Sequence, residues 1–72
     1  MNNISLTENM KEWLSEIFNK GIEEHKASSR SNHVWAMGAR TNEEATQFEQ
    51  NAYEHMTFAR VLETIKTEFD LK

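Results

Sequence analysis

The chain of 72 residues has no cysteine and no proline, and its only glycines are Gly21 and Gly38. The missing cysteines exclude disulfides and thiolate metal sites, and they fit a reducing compartment. Without proline, no helix-breaking ring interrupts the pattern. No apolar run approaches the roughly 20 residues of a membrane span, and the polar start Met1-Asn2-Asn3 is unlike a signal peptide. A soluble, cytoplasmic protein without membrane contact is therefore expected. At this length one domain, residues 1–72, is the limit, and so short a chain usually needs a staple or a partner for stability. With the hydrophobic fraction at 38% and disulfides excluded, oligomerisation or a metal held without thiolates is the remaining route. Mean hydropathy is −0.79, yet Trp13, Trp35, Phe18, Phe48, Phe58 and Phe69 are spread over periodic positions, which argues against disorder.

Acid is also missing locally. Between Glu24 and Glu43 there is no Asp or Glu, whereas Lys26, Arg30 and Arg40 lie there with His25 and His33. The net charge of −4 speaks against a surface for duplex nucleic acid. The middle of the sequence is nonetheless a basic island in an acidic protein, read either as charge scatter on a solvated face or as a place for an anion.

What is present is helical spacing. Apolar residues recur at intervals of three and four, and β-branched residues never alternate with polar ones, so the fold class expected is all-α. Ser5 followed by Glu8 reads as a capping box that opens a helix at about residue 5. Met10, Trp13, Leu14, Ile17, Phe18 and Ile22 then mark one amphipathic face. Gly21 inside this run costs about 1 kcal/mol of helix propensity against Ala, which the close approach of a second helix would explain. Ser28, Ser29, Ser31 and Asn32 are mediocre helix formers. One long helix to residue 37, straight or kinked near Ser28–Ser31, is favoured over two helices separated by a break there. Gly38 is placed as a left-handed stop. Thr41 with Glu44 forms a second capping box, and Asn42, Glu43 and Glu44 open a helix reaching about residue 69. Its inward face carries Ala45, Phe48, Ala52, His55, Ala59, Leu62, Ile65 and Phe69.

A turn of four residues, 38–41, implies antiparallel neighbours. Two helices of ~45 Å with no third layer leave Trp13, Phe18, Tyr53 and Phe58 uncovered. Assembly into a dimeric four-helix bundle or a higher oligomer would cover them. Mirroring positions about the turn sets Phe18 near Leu62, Ile22 near Ala59, His25 near His55, and Ser28 or Ser29 near Asn51 and Ala52. The apolar stripe thus turns polar on both helices at one level.

Four readings compete for that polar level. Two histidines on facing helices, doubled by a dimer axis, offer four nitrogens to Zn²⁺ or iron. Against this, helical di-iron sites use Glu-x-x-His on one face. In Glu24-His25 and Glu54-His55 the two side chains lie about 100° apart, so no metal ligands are assigned. An enzyme would need a nucleophile and base, such as Ser28, His25 and Glu54. Without a nucleophile elbow, P-loop or dinucleotide fingerprint, no catalytic residue or cofactor is assigned. The third reading is an anionic planar ligand of nucleotide type. Lys26, Arg30, Arg40 and Arg60 can contact phosphate, Trp35, Tyr53 and Phe58 can stack on a base, and Asn32, Asn51 and His55 can meet its edges. In the fourth, the module binds a host protein through an amphipathic face. Plain bundle register accounts for the polar residues as well as any of these.

The stretch from Asn32-His33-Val34-Trp35-Ala36-Met37-Gly38-Ala39-Arg40-Thr41-Asn42-Glu43-Glu44-Ala45 to Asn51-Ala52-Tyr53-Glu54-His55 resembles small helical proteins of phages and prophages of Gram-positive bacteria. Some short, oligomeric phage proteins of this size sequester cyclic-nucleotide or cyclic-ADP-ribose-type immune signals, as in anti-CBASS and anti-Thoeris defence. The resemblance lies in size and architecture, without matched binding residues. It implies a non-enzymatic, oligomeric sponge for a nucleotide-like signal, working in the cytoplasm of the host cell. The residues expected to bind are Lys26, Arg30, Trp35, Asn51, Tyr53, His55 and Arg60. A helical inhibitor or adaptor for a host protein is the alternative, and a His-based metal-binding bundle ranks below it.

Overall fold

A computed structural model of the chain describes residues 6–71. It consists of two long helices, α1 (Glu8–Met37) and α2 (Asn42–Glu68), folded back on each other as an antiparallel hairpin. The Cα extents of 51 × 24 × 10 Å are those of a slab one helix thick. α1 runs without interruption through Ser28–Ser31. The weak helix formers there are tolerated because Ser29 and Asn32 satisfy their side chains on nearby carbonyls.

The punctuation differs from the expected one in three places. The helix begins at Glu8, where the Thr7 hydroxyl accepts from the Met10 N–H at 3.1 Å. The expected cap, Ser5, lies outside the described residues. Gly38 is not left-handed. With φ −99° and ψ 9° it continues the last turn, its N–H reaching the Trp35 carbonyl at 3.1 Å. A left-handed stop exists instead at the far end of α2, where Asp70 adopts φ 57°. There the Leu71 N–H bonds to the Lys66 carbonyl at 2.8 Å and the Asp70 N–H to Thr67 at 3.1 Å. This is the paired closure of a Schellman motif, and it tucks Leu71 into the slab. The cap at Thr41 is as read, accepting from the Glu44 N–H at 3.0 Å. The Glu44 carboxylate returns to the Arg40 N–H rather than to that of Thr41.

The residues between the helices recur at alternating steps of three and four, the 3.5-residue period of a coiled coil. They form two rows on each helix. The first is Ser15, Ile22, Ser29 and Ala36 on α1 and Ala45, Ala52 and Ala59 on α2. The second is Phe18, His25 and Asn32 on α1 and Phe48, His55 and Leu62 on α2. Apart from Ile22 the first row is small, so the backbones approach closely, and Ala59 is 0% exposed. A Cβ on Gly21 would stand 3.2 Å from Leu62 Cδ1, so the expected close approach is real. The mirror register also holds, because the Ser29 hydroxyl donates to the Ala52 carbonyl at 2.8 Å.

Leu14, Phe18 and Ile22 turn inward, whereas Met10, Trp13 and Ile17 of the same expected face are exposed. A single neighbouring helix covers only a narrow seam, and the apolar stripe of α1 is wider than that. Phe18 is half-buried rather than uncovered.

Candidate functional site

In an antiparallel pair each row borders its counterpart, so the hairpin has two unlike faces. The first rows carry with them the residues four positions further on: Lys26 and His33 of α1, Glu49, Met56 and Glu63 of α2. A salt bridge and a hydrogen bond close this face, with Lys26 Nζ 3.3 Å from Glu63 Oε2 and His33 Nδ1 2.9 Å from Glu49 Oε1. Lys66 also donates to Asn19. Beside these contacts lies an open groove lined by Ser29, Arg30, His33, Val34, Glu49, Ala52, Tyr53 and Met56.

The second rows border the other face, together with residues three positions further on: Gly21, Ser28 and Trp35 on α1, Asn51, Phe58 and Ile65 on α2. Ring contacts tie this face together. Trp35 meets Phe48 edge-on at 5.8 Å, and His25 stacks on Phe58 at 5.3 Å. Met10, Ile17 and Val61 widen it toward the open end of the hairpin, whereas Trp13, three heptads before Val34, lies on the outer side of α1 beside Glu12 and Glu16. Trp35 is 55% exposed and Phe58 56%. Such an expanse of apolar side chains on one face of a small protein marks an interaction surface.

At the middle of this apolar face sits the polar level. His25 Nδ1 and His55 Nδ1 are 2.9 Å apart, half-buried, with ring centres 5.2 Å apart and planes tilted by 36°. One of the two nitrogens donates and the other accepts. Ser28 and Asn51 lie on the same face within a turn of the pair, and Asn51 accepts from Gln47 at 3.2 Å. Glu24 and Glu54, one heptad from Ile17 and Val61, flank the pair at the edges of the same face and are exposed.

The residues expected to bind a ligand are thus sorted between the faces. Lys26, Arg30, Tyr53 and Arg60 lie on or beside the ion-paired face, and only Arg30 and Tyr53 share a groove. Trp35, Asn51 and His55 lie on the apolar face. Lys26 and His55 are already engaged within the hairpin. His33, Glu49 and Met56 of the groove were missed by sequence reasoning. The signal for them was their spacing of three and four from Arg30 and Tyr53.

Among the described residues no helix is long and apolar enough to cross a membrane. No known protein family, curated protein or solved structure matches the chain.

Proposed function

We propose that the protein is a non-enzymatic binding module that works as a self-associated hairpin, two copies packing their apolar faces into a four-helix bundle. The observation that carries this reading is the segregation of side chains. Small residues, the Lys26–Glu63 pair and the open groove at Arg30 and Tyr53 occupy one face, while Ile17, Trp35, Phe58 and Val61 stand on the other without cover. The slab is 51 by 24 Å in the plane of its two helices, ample for the about 800 Å² per partner of a standard interface. Sedimentation equilibrium at micromolar concentration is expected to give twice the chain mass. A monomer across that range would sink the reading.

A second reading concerns the opposite face, which stays open in such a bundle. Arg30 and Tyr53 flank one groove with His33 beside them, a guanidinium fork and an aromatic plane suited to a phosphate and a base. On this reading the assembly sequesters a nucleotide-like anion. Thermal-shift screening of linear and cyclic nucleotides should then find a ligand whose effect disappears in Arg30→Ala and Tyr53→Ala. No response across the panel, with capture of a host protein instead, would favour the inhibitor or adaptor alternative.

A further inference from the structure

The histidine pair is unusual in its place. One chain offers two imidazole nitrogens at the midpoint of α2 and near that of α1, half-buried, in the centre of the face that the proposed assembly covers. Among the described residues no third His, Asp, Glu or Cys joins them to make a complete metal site within the chain. A two-fold axis through the middle of that face would bring a second pair against the first. We infer that the paired hairpins hold a Zn²⁺ ion between His25 and His55 of both copies. This inference rests on the self-association proposed above, because the site is incomplete without the second copy.

The geometry within one chain favours it. With Zn–N near 2.05 Å and a tetrahedral angle of about 109°, two liganding nitrogens stand about 3.3 Å apart and their ring centres about 5.2 Å apart. The ring centres of His25 and His55 are already 5.2 Å apart. Only the nitrogens, at 2.9 Å, must open, which a pivot of each ring achieves without moving the helices. The cation takes the place of the shared proton. Both Nδ1 atoms present lone pairs, and the ring that carried Nδ1–H shifts its proton to Nε2, so a neutral pair releases none. Phe58, stacked on His25, limits the rotation of that ring and shields the site.

Zinc titration by calorimetry on the full chain, paired with sedimentation, tests the inference. Expected is one Zn²⁺ per two chains, with uptake lost in His25→Asn and in His55→Asn. Circular dichroism on each variant verifies that it remains helical. Trp35→Glu, on the same face but outside the zinc site, should give monomers that no longer take up zinc at the same concentration. Four other outcomes would overturn the site. A dimer that ignores zinc removes it and leaves the self-association standing. A monomer binding one Zn²⁺ per chain removes the shared geometry. A monomer without zinc removes both, and uptake that persists in folded His→Asn variants places the metal elsewhere.

Discussion

At the residue scale the interest lies in groups that sequence reading treats alike and the fold separates. His25, His33 and His55 differ in partner. His33 faces a carboxylate on a solvated face, where an ion pair contributes at most about 1 kcal/mol. His25 and His55 face each other in a hydrogen bond between the helices. Loss of one hydrogen bond, about 1 kcal/mol, would lower the thermal midpoint of so small a domain by about 4–8 °C. Circular dichroism melts of His55→Ala measure this, and an unchanged midpoint would show that the pair contributes nothing.

At the scale of the element, each helix is fixed by its ends and by one row of small residues. α2 ends on a left-handed aspartate, a conformation that costs an L residue roughly 1–2 kcal/mol and glycine almost nothing. The Lys11–Asp70 contact at 3.9 Å is too long and too exposed to offset that. Asp70→Gly is expected to raise stability by about 0.5–1 kcal/mol in denaturant melts. The row formed by Ala45, Ala52 and Ala59 sets the distance between the helices. Ala59→Leu would force them apart at a fully buried position, costing about 1–3 kcal/mol. An unchanged denaturation midpoint in either variant would contradict this account of the ends or of the seam.

At the scale of the whole molecule, the hairpin holds little apolar core of its own. Among the described residues the buried hydrophobics are Ile22, Ala52, Ala59 and Leu71, two of them alanines. Fully burying a side chain such as Ile22 contributes about 1.5–3 kcal/mol, and ordering the backbone costs about 1–2 kcal/mol per residue. Covering Ile17, Trp35, Phe58 and Val61 in an assembly would restore the balance. If it does, the thermal midpoint rises with protein concentration, as mass action requires. A midpoint independent of concentration over two decades, in a protein that sediments as a monomer, would leave the single hairpin to account for its own stability.

The division between sequence and tertiary structure follows from the range of the forces involved. Local chemistry announced itself. The 3-and-4 spacing made both helices legible, the Thr41 hydroxyl and the turn before it made the hairpin legible, and mirror arithmetic about that turn brought His25 to His55. Each of these depends on contacts within one turn of helix or on the geometry of a short connection. Other features depended on which residues meet a second helix, and how closely. The stripe from Met10 to Ile22 reads as one face, but a single neighbour covers only its inner edge and leaves Met10, Trp13 and Ile17 outside. The basic island around Lys26 and Arg30 reads as unpaired, but α2 brings Glu63 and Glu49 against it. The seven residues expected to share one binding site fall on two faces, because a coiled seam sends neighbours in sequence to opposite sides. Periodicity identifies a helix and its apolar residues, and only the packing of one helix on another decides which of them are left for a partner.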